Sequence, residues 1–256
     1  MKKIKFITFF LLVILVTVSF GQDLSVYPQP IDLVTVPTAG IIPRGAYLID
    51  LNLFRNGGIL AGVSAGISSK FMFGISYGGS RIIGDEQINW NKQPGVEIKF
   101  RFMEESKMMP AMLVGFNSKG YGAYCDSLNR YETKAVGFYV VASKNFSFLG
   151  NFGFHGGVNY NPLEKEDGDN DPSFFAGIDK DITKQLSFVI EYNAALNDNE
   201  TNQLGLGEGR GYLNAGIRWA MVENFHIDVD FKNILLNRKD VEYRSRECKI
   251  TFIEFF

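Results

Sequence analysis

The chain has 256 residues, a formal net charge of −2, 46% hydrophobic residues and 21% charged residues. It is too apolar for a disordered chain and too charged for a bundle of membrane helices. Its 27 Gly and 23 Phe favour strands and tight turns, and with Cys125 and Cys248 as the two cysteines a disulfide framework is excluded.

Lys2, Lys3 and Lys5 precede an apolar run from Phe6 to Phe20, and Ser19-Phe20-Gly21 supplies small residues before Gln22. This is the layout of a secretory signal peptide over residues 1–21. No Cys stands at the cleavage point, so no lipid anchor is expected there. Taking these three lysines from the 26 basic residues leaves 23 against 28 acidic ones. A mildly acidic chain gives no reason to expect nucleic acid as a partner. Past residue 21 there is no apolar run of about eighteen residues, so helical membrane spans are excluded. An exported soluble protein or an outer-membrane barrel remains.

Residues 22–43 carry Pro28, Pro30, Pro37 and Pro43 and cannot form a central strand. They are read as an N-terminal extension before a barrel spanning 44–256. Val34, Val36, Ile41 and Ile42 would sit exposed if this extension hung free, so packing in or under the lumen is expected. The rival is a free periplasmic tail below an open channel.

From residue 45 onward, period-two alternation recurs. The clearest segment is 96–102, where Val96, Ile98, Phe100 and Phe102 alternate with Glu97, Lys99 and Arg101. Similar alternation marks 152–160, 186–193, 212–219 and 225–232. Weaker strands are read at 45–54, 58–67, 70–79, 110–118, 134–143, 172–180 and 244–256. Twelve strands is an even number, as bacterial barrels require. The connections at one end (68–69, 103–109, 144–150, 181–185, 221–224) are short. Those at the other end (55–57, 80–93, 119–133, 161–171, 195–211, 233–243) are mostly longer. Short periplasmic turns with longer outer loops are an outer-membrane habit. The fold class is therefore all-β: a single antiparallel transmembrane β-barrel in the cell outer membrane. Its expected partners are membrane lipid, lipopolysaccharide and the barrel-assembly machinery. The terminal Phe256, with Ile250 and Phe252 in register, resembles the C-terminal signal of such barrels, and Glu254 is expected near the water interface.

By alternation, Asp50, Glu97, Asp179, Glu191, Asp228 and Asp230 point into the lumen with Lys99, Arg101, Arg218, Lys232 and Lys249. Six acids against five bases make a mixed set, expected to brace the lumen through salt bridges; a substrate-selective eyelet is the alternative. His155 and His226 also point inward, but no Ser lies within two residues of either along its strand, so no hydrolase site is read and the protein is expected to be non-enzymatic. Asp167, Asp169 and Asp171 have the spacing of the first Ca²⁺-loop ligands, but Pro172 stands where Gly should and no Glu closes the loop. A solvated acidic loop is the first reading, and divalent binding against lipopolysaccharide the second. Residues 205–211 are Gly-rich without the Gly-Lys-Ser/Thr of a phosphate cradle. No metal site and no cofactor is expected.

Val36-Pro37-Thr38-Ala39-Gly40 followed by Gly45 and an alternating strand resembles the start of the YjbH-like outer-membrane β-barrel family. Pro94-Gly95-Val96-Glu97-Ile98-Lys99, Pro110-Ala111, Ser143-Lys144 and Arg246-Glu247 extend the resemblance across most of 30–256. It implies a structural protein, or an accessory to exopolysaccharide production and export, with polysaccharide-export components as partners. It carries no catalytic residues over. The alternative function is a small substrate-selective porin for a hydrophilic solute.

Overall fold

A computed structural model describes residues 29–147, 150–199, 205–239 and 241–256. The signal-peptide reading of 1–21, and residues 22–28 of the extension, lie outside the described residues. In chain order the strands begin with β1 (Ala46–Phe54), β2 (Gly58–Gly66), β3 (Phe71–Ser80), the two-residue β4 (Asn89–Trp90), β5 (Gly95–Met103) and β6 (Ala111–Asn117). A hairpin of β7 (Tyr121–Cys125) and β8 (Arg130–Thr133) follows, then β9 (Gly137–Ser147), β10 (Asn151–Tyr160) and β11 (Ser173–Asp181). The chain ends with β12 (Leu186–Asn193), β13 (Tyr212–Val222), β14 (Phe225–Lys232) and β15 (Ser245–Phe255).

Setting aside β4, β7 and β8, each strand pairs antiparallel with the next. β1 pairs with β15 from Ala46 opposite Phe255 to Leu53 opposite Cys248, which closes a twelve-stranded ring. Closure leaves no unpaired strand edge, the condition for a sheet to cross a bilayer. The alternation sorts side chains. Ile75, Phe100, Val140, Phe154, Val158, Ile217 and Val229 point outward and are largely exposed although apolar. Such a belt around a closed ring faces lipid. Tyr47 with Phe256, and Tyr77 with Trp90, form aromatic pairs at strand ends, with centroids 5.3 Å and 5.8 Å apart, where interfacial rings belong. Glu254 accepts from Asn224 Nδ2 at 3.2 Å beside the last periplasmic turn. The chain is an outer-membrane β-barrel.

The three-residue connection between β1 and β2 places Asn56 and Gly57 at φ 58° and 62°, the left-handed pair that a tight hairpin of the type I′ kind demands. Inside the ring, Leu33, Val34, Val36, Ile41 and Ile42 join Leu48, Met72, Leu113, Val141, Phe175 and Val189 in one buried cluster. The barrel's core is thus shared between its wall and the segment preceding it.

Two sequence expectations need correcting. The strand read at 134–143 runs Gly137–Ser147. Gly137, at φ 74°, turns the chain into the wall beside Asn161, and Lys134 and Ala135 are left to the loops above. The stretch read as an outer loop at 119–133 contains the β7–β8 hairpin. Its irregular register between Tyr121 and Tyr124, with Gly122 at φ 81°, hides the alternation.

Charge on the lipid face is the most direct probe of this register. Val140→Arg should lower unfolding stability in lipid vesicles by about 2–4 kcal/mol. A loss below about 1 kcal/mol in urea titrations would place Val140 on the wrong face.

Candidate functional site

The lumen is the site, and its most populated contact is one carboxylate. Glu191, on β12, is fully buried. It accepts from the backbone N–H of Val34 at 2.8 Å, Thr35 at 2.9 Å and Val36 at 3.1 Å, and from the Thr35 hydroxyl. Asn214 Nδ2 donates to it from β13 at 2.8 Å. Successive N–H groups curled around an anion form a backbone nest; here the anion is the protein's own side chain.

The carbonyls of the same segment meet cations. Lys99 Nζ donates to Ile31 O and to Asp32 Oδ1, the latter at 3.2 Å, and lies 3.6 Å from Glu97. Arg218 Nη2 donates to Asp32 O and Leu33 O at 3.4 Å and 3.2 Å, and its guanidinium also holds Asp228 at 2.8–3.0 Å. Lys249 stands 3.8 Å from Asp228. Ala39 N–H donates to Ser143 Oγ at 2.8 Å. Residues 32–42 are all buried, and a β-carbon on Gly66 or Gly177 would collide with Ile42–Pro43 or with Leu33. Those glycines are the wall's accommodation of the segment.

Other inward charges take different places. Asp50 and Asp230 are buried opposite Gly62 and Gly216, where a β-carbon would strike the carboxylates. Lys232 pairs with Glu247 at 2.6 Å and lies 4.4 Å from the Tyr121 ring centroid. Arg101 is apart from these pairs. It lies near the periplasmic end of β5, just before a bulge between Arg101 and Met103, where Nη2 donates to Ser69 O at 3.3 Å.

His155 is not isolated. Its Nδ1 is 2.8 Å from Ser143 Oγ and its Nε2 is 2.6 Å from Asp179 Oδ1. Ser143 is its direct cross-strand partner on β9, and Asp179 sits one diagonal away on β11. A search along one strand misses this group because its members are neighbours only across the ladder. The inward positions of His155 and Asp179 were legible; Ser143 and the register that joins the three were not.

The outer end is covered. Arg130, fully buried, bonds Asp167 and Asp198, and Tyr212 Oη donates to Asp198 at 2.6 Å. Lys134 Nζ donates to Asp167 at 2.8 Å and to the Asp169 carbonyl at 2.6 Å, while Asp169 Oδ2 accepts from Asn199 N–H at 2.8 Å. Asp167 and Asp169 are therefore neither simply solvated nor arranged as Ca²⁺ ligands, because cationic side chains and a backbone amide occupy their carboxylates, while Asp171 is exposed. Burial pushes the Glu164 carboxyl up, against the lowering pull of N–H bonds from Tyr131 and Ala135. The hairpin reaches down to the segment, with Tyr121 Oη donating to Thr35 O at 3.3 Å.

The space left is unequal. A cavity of about 710 Å³ opens between the periplasmic turns, with Arg44, Arg101, Lys144, Asp179 and Lys249 in its wall and Ile41–Ile42 at its end. On the outer side of the segment, a cavity of about 40 Å³ remains beside Thr35, Tyr121 and Lys232.

No family model matches the chain, and no curated protein matches it. Among solved structures, the chain is similar to one described as the KdgM porin (TM-score 0.49, 10% identity, 82% of this chain and 99% of that one). It is also similar to the NanC porin (0.42, 8%, 82% and 99%) and to an outer-membrane channel from Pseudomonas putida F1 (0.39, 9%, 84% and 97%). At these identities the likeness is one of fold. The resemblance to the YjbH-like family is not sustained: no family model carries it, and the structures found are porins and channels. Its motifs have local explanations. Pro94-Gly95 starts β5, Pro110-Ala111 starts β6, and the stretch 36–40 is the buried segment itself.

Removing the Glu191 carboxylate should loosen the segment first. In a chain with Cys125 and Cys248 replaced by Ser, Val36→Cys should react slowly with a water-soluble thiol reagent. Adding Glu191→Ala should speed that reaction about tenfold or more, since each 1.4 kcal/mol lost is a factor of ten and charged hydrogen bonds contribute about 1.5–3 kcal/mol each. Equal rates in the two backgrounds would remove Glu191 from this role.

Proposed function

We propose that the protein is a gated diffusion channel for a small hydrophilic solute, closed at rest by residues 31–42. The observation that carries this reading is the character of the contact between segment and wall. Beyond their apolar packing, the blocking residues are fixed by hydrogen bonds and ion pairs to Glu191, Lys99, Arg218 and Ser143. A barrel that needed only filling would be served as well by apolar packing, because replacing buried ion pairs with hydrophobic residues is often neutral or stabilising. A wall of hydrogen-bonding side chains suits a lumen that water and polar solutes enter once the segment leaves. The cavity on the periplasmic side supports the same reading, since it brings solvent up to the segment.

The gate has two layers. The segment blocks the middle of the lumen, and the hairpin, held down by Arg130 and Lys134, lies over it. Tyr121 touches both its own hairpin and Thr35, so movement of either layer disturbs the other.

In planar bilayers the full-length protein should be nearly silent, and deletion of residues 31–40 should produce steady ohmic conductance. Free conduction by the full-length protein, unchanged by the deletion, would make it an open porin. Silence in both would make the barrel structural.

A further inference from the structure

We propose that Ser143, His155 and Asp179 form an acyl-transfer site in the lumen wall, masked by Ala39, whose substrate is a short-chain carboxylic ester of a hydrophilic molecule. The three side chains come from β9, β10 and β11, at 2.8 Å and 2.6 Å spacings. With a neutral imidazole, the proton directions follow from the donors. An ionised Asp179 only accepts, so His155 Nε2 carries the hydrogen of that bond and Nδ1 is left with its lone pair. Ala39 has only an N–H to give, so Ser143 Oγ accepts from Ala39 and directs its own hydrogen at Nδ1. This is the polarity of a nucleophile, a general base and an orienting carboxylate.

The surroundings favour the arrangement. A β-carbon on Gly153 would overlap Asp179 Oδ1 and crowd His155 Nε2, so the pair exists because residue 153 is glycine. Asn151 Nδ2 donates to the other oxygen of Asp179 at 3.3 Å. Asp179, Asn145 and Ser147 line the periplasmic cavity. Ser143 is the next inward position of β9 beyond Asn145, about 7 Å deeper along the strand. An ester in the cavity would reach it once Ala39 withdrew.

The step balances without a co-reactant other than water. Ser143 Oγ bonds the ester carbonyl carbon and its proton passes to His155 Nδ1. The carbon–oxygen bond to the leaving group breaks, and that alcohol departs with the proton. Water then attacks the acyl-serine, again through His155, releasing the carboxylic acid and restoring the hydroxyl.

This inference does not rest on the channel reading, since conductance tests one and acylation the other. The purified full-length protein and its Glu191→Ala variant would be treated with a fluorophosphonate probe, and the modified residue located by peptide mass. Labelling at Ser143 is expected in Glu191→Ala and at a far lower rate in wild type. Adding Ser143→Ala should abolish it, and adding His155→Gln should slow it by about two to four orders of magnitude. If Glu191→Ala fails to assemble, Lys99→Met, which frees the same segment at Ile31 and Asp32, takes its place. The proposal is overturned if thiol reagents reach position 36 in the loosened variant while Ser143 stays unlabelled. It is equally overturned if labelling survives His155→Gln. A relay that merely holds the segment would leave Ser143 unlabelled throughout.

Discussion

A buried carboxylate and a buried run of irregular backbone each pose the problem that the other solves. Glu191 has been taken out of water, and an ion placed there is costly unless its acceptor sites are filled. The N–H groups of Val34, Thr35 and Val36 belong to neither helix nor ladder, and buried donors need acceptors. Three amides, one hydroxyl and the Asn214 amide converge on the carboxylate. Bonds to a charged acceptor are about twice as strong as neutral ones, so this contact fixes where the segment lies. The rest of the lumen is arranged around that position.

The polarity of the segment then matches the polarity of the wall. Its N–H groups face the acid on β12, while its carbonyls at Ile31, Asp32 and Leu33 face Lys99 on β5 and Arg218 on β13. Arg218 bonds Asp228 as well as the segment, and Lys99 lies between Asp32 and Glu97, so no cation here is spent on the segment alone. Small wall residues complete the fit, with Gly177 making room for Leu33 and Gly66 for Ile42–Pro43. Apolar contacts of Val36, Ile41 and Ile42 add burial that does not depend on direction.

Much of this was legible in the chain. Alternation at 96–102 and 225–232 gave the wall, and the sorting of loop lengths gave its orientation. Inward charges such as Lys99, Glu191 and Asp228 follow from period two alone, because one face must meet lipid. What alternation does not contain is register. It does not say that Ser143 lies opposite His155, nor that Asp179 reaches the same ring from the next strand. Nor does it show which of six acids would bind backbone instead of a cation. Arg101 shares the face of Lys99, yet it lies nearer the strand's end and meets Ser69 at the rim instead of the segment. Asp167 and Asp169 sit in a run of acids that reads as solvated, because Arg130 and Lys134 lie more than thirty residues away in sequence.

The central claim is that residues 31–42 occupy the lumen in the folded, membrane-embedded protein. Amide hydrogen exchange in reconstituted vesicles tests it most directly. Val34, Thr35 and Val36 precede the first strand, so a free extension would leave them unprotected. Bound to Glu191, they should exchange as slowly as the amides of β1 and β15. Exchange of these three amides at the rate of an unfolded peptide, beside protected strands, would contradict the account.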